Sequence, residues 1–304
     1  MNKIGWLVND CLTCIPGTKT FWHNLLEWIP NLCDMTGGYT DYSVLADVIE
    51  SKLEKNQVDY IIRNGTYFRK LSTNIKTISL IQDVIFNDSR QIDVCNNSSV
   101  IVFNSKYCES FYRNVSRPTK IIPLGIDFDF FKPLIDKEEL KKRYGIKDNT
   151  IIYIGDSSSY PKGFDLVQYL INHSSYDFCL IMKDNYTSHH PRVKVFNRVP
   201  QSTVVELINC CDIGICTSKM ETEHLGGIEI GACNLPIVAT EVGIYYDLKN
   251  EERWGKISTP ERFLSNIDWV LKNRSMFDTR NCFQEYGLSI ESCKKTWIKM
   301  TEEI

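Results

Sequence analysis

The chain has 304 residues, of which 43% are hydrophobic and 24% are charged, a balance that is typical of a globular protein in water. A chain of this length fits two domains of roughly 150 residues better than one. The formal net charge of −3 gives the whole molecule no attraction for polyanions. No apolar run reaches the ~18 residues that indicate a membrane span.

The twelve cysteines are scattered along the chain rather than arranged as a disulfide framework. Several stand in apolar segments such as DFCLIM and IGICTS, which predicts buried free thiols in a reducing, cytoplasmic environment. Cys11 and Cys14 have the spacing of a zinc or redox pair, but no second pair matches them, so we interpret them as loop residues. The N-terminal MNKIGWLVNDC lacks the apolar core of a signal peptide and is expected to contain a first strand.

Short β-rich segments alternate with helical ones, which predicts parallel sheets of the doubly wound kind. In the first half, strands are predicted at KIGWLV, VDYIIR, TISLIQ, SVIVFN and KIIPL, with helices at 18–28, 43–55 and 105–114. A charged helix, DKEELKKRYG, follows Pro133. The second half has strands at TIIYIG, DFCLIM, VKVF, DIGICTS and PIVAT, helices from about 162, 202 and 225, and a helical tail from about 259.

We therefore predict an α/β protein with two Rossmann-like domains, 1–133 and 134–304, facing each other across a cleft. The C-terminal helix is a candidate to pack back on the N-terminal domain. In open parallel sheets, ligands bind beyond the carboxyl ends of the strands. The segments that follow strands are consequently the candidates for function.

Two loops of this kind could meet phosphate. In YIGDSSSYPKGFD a strand ends at Gly155, and Lys162 stands where a helix begins, so free backbone N–H groups and an ammonium group would attract phosphate oxygens. In CIPGTKTFWHNLLEW, Gly17 separates the first strand from a helix and would let a ligand approach the backbone. A solvated lysine and a plain turn glycine are the alternative interpretations. GxGxxG is absent, so no conventional dinucleotide fingerprint is present.

The stretch KMETEHLGGIEIGACNLPIVATEVG places two carboxylates, Glu221 and Glu229, eight residues apart around a pair of glycines. Gly226 and Gly227 expose the backbone at a helix start. Glu229 lies in the first turns, where a carboxylate is tolerated by the helix dipole and could accept hydrogen bonds from two hydroxyl groups. As isolated acids, the two glutamates would be solvated surface residues.

Together with the segment TKIIPLGIDFDFFKP, these stretches resemble the retaining glycosyltransferases of the GT-B fold, family 4 type. That family has an N-terminal glycine-rich loop, a hinge with the pattern P-N-G-[VI]-D-x-x-x-F-x-P, a lysine–glycine loop and two glutamates eight apart before G-x-P-V-[IV]-A-[ST]. The matching hinge residues here are Pro123, Gly125, Ile126, Asp127, Phe131 and Pro133. Order and spacing agree over most of residues 1–245.

The resemblance implies transfer of a hexosyl or pentosyl group from a UDP- or GDP-linked sugar, with retention and without a metal or other cofactor. Lys162 would neutralise the departing diphosphate, Glu229 would bind the ribose and Glu221 the transferred sugar. The catalytic set would be Glu221, Lys162 and Asp83. The residues expected around the nucleotide sugar are Gly17, Gly155, Lys162, His224, Gly226, Gly227 and Glu229.

Three positions depart from the family pattern. Asp156 stands where the family has an arginine, and would repel a diphosphate unless it points away or meets a cation such as Arg198. His224 replaces a glycine, so that either the loop path differs or His224 itself contacts the donor. Gln82 and Asp83 fall where many members place a histidine near the acceptor, and Asp83 would then be an acid–base or orienting group.

The acceptor is expected on the N-terminal side, as a glycan or as hydroxymethylated DNA. Basic residues cluster there without acids, at Arg63, Arg69, Lys70 and Lys76, with Tyr67 and Phe68 between them. Interleaved basic and aromatic residues suit an anionic acceptor, although an ordinary solvated face explains them equally well. EIGAC, residues 229–233, also resembles the matching element of phage α-glucosyltransferases that modify DNA.

Two other functions share this architecture. A nucleotide-sugar epimerase or hydrolase would need acid–base groups near the donor, for which only His23 and His224 are candidates. A non-catalytic nucleotide-sugar-binding protein would account for Asp156 and His224 as losses. A linked sugar product distinguishes a transferase from both.

Overall fold

The computed structural model describes residues 4–7, 32–34, 57–64, 74–82 and 89–303. The chain divides into two compact units, one of Met1–Gly125 with Glu291–Ile304 and one of Ile126–Ile290. The predicted helices at 18–28 and 43–55, and the residues Cys11, Cys14, Gly17, His23 and Asp83, lie outside the described residues. The prediction of two Rossmann-like α/β domains is confirmed, because each unit is built on a parallel sheet.

The first unit contains a six-stranded parallel sheet in the order β2-β1-β3-β4-β5-β6. Its strands are β1 (Ile4–Leu7), β2 (Leu32–Asp34), β3 (Tyr60–Asn64), β4 (Lys76–Ile81), β5 (Val100–Phe103) and β6 (Thr119–Ile121). Five of the six were predicted. Strand β2 was missed because three residues, Leu-Cys-Asp, are too short to show an alternating pattern.

The helices that the structure describes in the first unit are α1 (Ser89–Asn96), α2 (Lys106–Glu109) and, at the chain end, α10 (Ile290–Glu303), whose first residue belongs to the second unit. Helix α2 is shorter than the predicted 105–114. Ser105 caps its start by accepting a hydrogen bond from the Cys108 N–H at 3.1 Å. Helix α10 buries Trp297 and Met300, and the Tyr60 hydroxyl donates to the Thr301 carbonyl at 3.2 Å.

The core of the first unit contains a charged side chain. Arg63 on β3 is 1% exposed, donates through Nε to Ser79 Oγ at 2.9 Å and through a terminal nitrogen to the Val94 carbonyl at 3.2 Å. Burial lowers the pKa of its guanidinium to about 10. The predicted basic acceptor face therefore loses Arg63, since the strand turns this residue into the interior, whereas Lys76 is exposed.

The second unit has a parallel sheet in the order β12-β11-β10-β7-β8-β9. The strands are β7 (Ile151–Gly155), β8 (Phe178–Met182), β9 (Val193–Asn197), β10 (Ile213–Cys216), β11 (Ile237–Ala239) and β12 (Gly255–Ile257). All but the short β12 were predicted. The strongly apolar strand segments are buried on both faces, as expected for a parallel sheet covered by helices.

Helices of the second unit are α3 (Lys137–Tyr144), α4 (Phe164–His173), α5 (Gln201–Cys210), α6 (Leu225–Ala232), α7 (Ile244–Asp247), α8 (Phe263–Lys272) and α9 (Thr279–Tyr286). Helix α3 ends at Gly145, which adopts φ +60° and donates to the last carbonyls of the helix, as its sequence predicted. On one face of the sheet, α4 and α8 pack together through Val167, Leu170, Ile267 and Val270.

The predicted hinge segment contains the boundary between the two units: Pro123 and Gly125 belong to the first unit, and the residues from Ile126 onward belong to the second. Gly125 has φ +79°, and Asp127 Oδ1 accepts hydrogen bonds from the N–H groups of Asp129 and Phe130 at 2.9 and 3.0 Å. Arg280 on α9 donates to the carbonyls of Phe128 and Phe131, both at 2.8 Å. The glycine and aspartate of the motif thus shape a turn, and Arg280 fastens it to the unit.

We predict that Arg63→Ala lowers the free energy of unfolding by about 3 kcal/mol, because the substitution leaves buried polar groups unpaired and opens a cavity. Urea denaturation would measure the change. Lys120→Ala on the edge strand β6 is the control, since its pair with Glu303 is half-exposed and should contribute at most about 1 kcal/mol. Equal losses in the two variants would contradict a structural role for Arg63.

Candidate functional site

Two loops at the carboxyl edge of the second sheet lie against each other. One follows β7 (156–163) and the other follows β10 (217–224). The Pro161 carbonyl accepts from the Lys219 N–H at 2.7 Å, and Thr217 Oγ1 donates to the Lys162 carbonyl at 3.2 Å. Gly163 has φ +61°, and a Cβ there would stand 2.0 Å from the Thr217 oxygen. Only glycine satisfies both the conformation and the close approach.

This contact brings together the two predicted catalytic charges of the second unit. Lys162 Nζ lies 2.6 Å from Glu221 Oε1, and Ser218 Oγ donates to the same oxygen at 2.8 Å. The Lys162 side chain is 33% exposed and that of Glu221 is 12% exposed. The ammonium group is therefore held against Glu221, close enough to His224 to affect its pKa, and its charge is balanced by one carboxylate.

His224 lies at the junction between the second loop and helix α6. It is a non-glycine residue in the left-handed region, with φ +76°, and its side chain is buried. Its Nδ1 lies 3.0 Å from the Tyr245 hydroxyl. Burial lowers the pKa of the imidazole to about 4; nearby Glu221 opposes this effect and nearby Lys162 adds to it. The ring is consequently neutral at pH 7.

The paired glycines are explained in part by packing. A Cβ on Gly226 would lie 3.1 Å from the side chain of Ile154 on β7, and one on Gly227 would lie 1.8 Å from the Tyr245 hydroxyl. The Gly227 N–H donates to the His224 carbonyl at 3.1 Å. The N–H groups of Leu225 and Gly226 have no partner among the described residues, and these two can meet a ligand.

Glu229 is half-buried on the second turn of α6. Its carboxyl group makes no hydrogen bond or ion pair with any residue that the structure describes. Burial raises its pKa to about 8, because the ionised form is poorly solvated and has no nearby cation to stabilise it. At neutral pH the group is largely protonated and can both donate and accept hydrogen bonds.

Gly155 and Asp156 form the start of the lysine loop. Gly155 accepts from the Lys183 N–H at 2.8 Å. Asp156 Oδ1 accepts from the Ser158 N–H and hydroxyl, both at 2.8 Å, and from the Ser159 N–H at 3.0 Å. Partial burial alone would raise the pKa of Asp156, but these hydrogen bonds outweigh it and the pKa is lowered. The carboxylate is thus turned into its own loop.

The alternative partner for Asp156 is not observed. Arg198 is exposed and donates through Nε to the Lys183 carbonyl at 3.0 Å. The sequence left two arrangements open for Asp156: a side chain turned away from the ligand, or one paired with a cation. The structure shows the first, because the carboxylate accepts hydrogen bonds from Ser158 and Ser159 of its own loop.

Sequence reasoning missed Ser218 and Tyr245. Ser218 orients Glu221, and Tyr245 contacts His224, yet Tyr245 is 21 residues away along the chain. No spacing pattern connects a histidine in a loop with a tyrosine on the separate short helix α7. The predicted residues Lys162, Glu221, His224, Gly226, Gly227 and Glu229 all lie in the loop after β7, the loop after β10 or helix α6, whereas Gly17 and Asp83 lie outside the described residues.

Two parallel-sheet domains in one chain, with a lysine loop and a glycine-rich helix start at the carboxyl edge of the second sheet, define a protein of the GT-B glycosyltransferase fold. Solved structures of such enzymes match it. HepE of Anabaena in complex with UDP has a TM-score of 0.78 and 14% identity, covering 99% of this chain and 100% of that one.

Two further structures agree. Sucrose-phosphate synthase from Thermosynechococcus elongatus has a TM-score of 0.74 and 12% identity over 99% of this chain and 98% of that one. A glycosyltransferase from Rickettsia africae has a TM-score of 0.73 and 16% identity, again over 99% of this chain and 98% of that one. At these identities the likeness establishes the fold. No family model and no curated protein sequence matches the chain.

No helix in the described part of the chain is long and apolar enough to cross a membrane.

We predict that Glu229→Gln stabilises the protein increasingly as the pH rises from 5 to 8. The pKa of Glu229 is raised by folding, to about 8 from an unfolded value of roughly 4.3. The folded state therefore binds the proton more tightly, and the wild type loses stability as the pH rises through this window, whereas the glutamine stays neutral.

Urea midpoints of the wild type and the variant at pH 5, 6.5 and 8 would measure this divergence. Glu241→Gln, at a half-exposed carboxylate paired with Lys249, is the matched control and should differ from the wild type by a constant amount. A constant offset for Glu229→Gln would show that its carboxyl group is not desolvated in the folded protein.

Proposed function

We propose that the protein is a retaining glycosyltransferase of the family 4 type. It would transfer a hexosyl or pentosyl group from a UDP- or GDP-linked sugar to a hydroxyl acceptor. The observation that carries the proposal is the Lys162–Glu221 pair, held 2.6 Å apart beside the unpartnered N–H groups of Leu225 and Gly226. The fold adds support, since HepE, which shares it, has been solved with UDP and with UDP-glucose.

The charges of the site suit a diphosphate that departs as an anion. Lys162 and the two free N–H groups at the start of α6 would stabilise the negative charge that develops on the leaving group, in positions fixed before the reaction. A phosphate that engages Lys162 competes with Glu221 for the ammonium group. Glu221 is then free to accept hydrogen bonds from hydroxyls of the transferred sugar.

Glu229 is proposed to bind the ribose. A half-buried carboxyl group without a protein partner can accept and donate hydrogen bonds, and a diol is a complementary ligand. Binding there would also relieve the cost of an unpaired polar group in a desolvated position. Ribose binding is thus the simplest explanation that we propose for this half-buried carboxyl group.

The reaction is proposed to need no metal, because one lysine and a helix start would together neutralise the diphosphate. In a retaining transfer the leaving phosphate would take the proton of the acceptor hydroxyl. Gly17 is proposed to face the phosphates, and Asp83 to orient the acceptor or act as an acid–base group.

A glycan is the acceptor that we propose first, with hydroxymethylated DNA as the second candidate. Two amide side chains follow neighbouring strands of the first sheet: Gln82 follows β4 and Asn104 follows β5. Both amide atoms of Asn104 and the Nε2 of Gln82 are buried without a hydrogen-bond partner among the residues that the structure describes. Buried amides are normally paired, so this edge suits neutral hydroxyl groups or ordered water, and the buried Arg63 weakens the case for a polyanion.

We also propose a cytoplasmic location. The nine cysteines whose side chains the structure describes are all buried, and no disulfide joins any two of them. Free thiols persist where the environment is reducing.

We predict that one nucleotide sugar in a panel of UDP- and GDP-linked donors raises the melting temperature, since a ligand at 100 times its Kd adds about 2.7 kcal/mol. Lys162→Ala and Glu229→Ala should lose the shift, each measured against its own ligand-free melting temperature. A chelator should leave the shift of the wild type unchanged.

Lys219→Ala is the matched control. This lysine stands in the same loop as Glu221, but pairs with the exposed Asp165 at 2.8 Å and lies over the Tyr160 ring, so its variant should keep the shift. Absence of a shift with every donor would contradict the proposal. Product analysis with glycan acceptors then distinguishes a transferase, which forms a linked sugar with retained configuration, from an epimerase or hydrolase and from a binding protein without turnover.

A further inference from the structure

The contact between His224 and Tyr245 has only one hydrogen-bond arrangement that satisfies both groups. The Tyr245 side chain is fully buried, and its ring packs on Trp254 with centroids 4.9 Å apart. Its hydroxyl lies 3.0 Å from His224 Nδ1 and has no other partner among the described residues. A buried hydroxyl hydrogen without an acceptor is costly, so Tyr245 donates to Nδ1.

That assignment determines where the histidine carries its proton. A neutral imidazole has one N–H group, and the nitrogen that accepts a hydrogen bond must be the unprotonated one. His224 is buried and therefore neutral, so its single hydrogen is on Nε2. Nε2 has no hydrogen-bond partner in the part of the chain that the structure describes.

The space around the pair leaves little freedom for another arrangement. A Cβ on Gly227 would stand 1.8 Å from the Tyr245 hydroxyl and 2.3 Å from His224 Nδ1, so the helix start presses on both groups. His224 itself occupies φ +76°, a left-handed conformation that is unfavourable for a non-glycine residue. A side chain kept at such a position is a candidate for a functional contact.

We propose that Tyr245 is a positioning residue that holds His224 as the Nε2–H tautomer, and that this N–H donates a hydrogen bond to the diphosphate of the bound nucleotide sugar. The proposal rests on the proposed function. His224 immediately precedes Leu225 and Gly226, whose N–H groups are free, and it senses the charges of both Glu221 and Lys162. The Nε2–H group of His224 would thus be a neutral hydrogen-bond donor near the ammonium group of Lys162.

The first test is the tautomer in the ligand-free protein, measured by long-range ¹H–¹⁵N correlation of the histidine rings. The His224 signals are assigned by their loss in His224→Gln. The expected result is a protonated Nε2 in the wild type and a mixture of tautomers in Tyr245→Phe. A protonated Nδ1 in the wild type, or an unchanged tautomer in Tyr245→Phe, would overturn the role of Tyr245.

The second test measures UDP and GDP binding by calorimetry in two matched variants. Glutamine places an amide N–H near the position of Nε2, whereas the shorter asparagine does not, although asparagine is the better residue at positive φ. We expect the Kd of His224→Gln for the nucleotide to lie within about 3-fold of the wild-type value. The Kd of His224→Asn should be about 10-fold higher, because that variant loses one hydrogen bond to a charged group.

A purely structural role for His224 predicts the opposite order, with asparagine at least as good as glutamine in both stability and binding, and this order would overturn the diphosphate contact. If the wild type binds neither UDP nor GDP, the proposed function fails and the contact fails with it. The tautomer result still stands in that case, so the two failures are distinguishable.

Discussion

The ion pair between Lys162 and Glu221 is the interaction on which the site depends. The two residues stand 59 positions apart in sequence, and they meet because the loops after β7 and β10 share backbone hydrogen bonds. A pair that is partly removed from water adds little net stability, since desolvation offsets much of the attraction. What the pair provides is position: the ammonium group of Lys162 is held 2.6 Å from the Glu221 carboxylate.

Close backbone approach is the second requirement, and glycine makes it possible. Gly163 lets the lysine loop lie against the Thr217 carbonyl, while Gly226 and Gly227 let α6 approach Ile154 and Tyr245. The small residues that the sequence presented as bare backbone for phosphate therefore have a packing role of their own. The N–H of Gly226 has no partner among the described residues and stays compatible with the proposed phosphate contact, whereas the N–H of Gly227 already donates to His224.

Most strands could be predicted from the sequence, because parallel strands that are buried on both faces appear as apolar runs. The site residues of the second unit could be predicted because the spacing of the motifs indicates which loop carries each charged residue. Arg63 shows the limit of this reasoning: its neighbours in sequence suggested a basic face, but β3 is buried on both faces and the Ser79 hydroxyl accepts a hydrogen bond from Arg63 in the interior. Tyr245 shows another limit, since a contact made across two loops leaves no periodic signal. Strands of three residues, such as β12, are too short to show an alternating or apolar sequence pattern.

The charges of the site are compatible with the diphosphate ligand that we propose. The Lys162–Glu221 ion pair has no net charge, His224 is neutral, and Glu229 is largely protonated because it is desolvated. The positive potential that remains comes from the start of α6, where the N–H groups of Leu225 and Gly226 have no partner among the described residues. Under the proposed function, an anion that binds there would draw Lys162 away from Glu221, and the released carboxylate would then need hydrogen-bond donors of its own. Sugar hydroxyls are such donors, so phosphate binding and sugar binding would be coupled through one shared ammonium group.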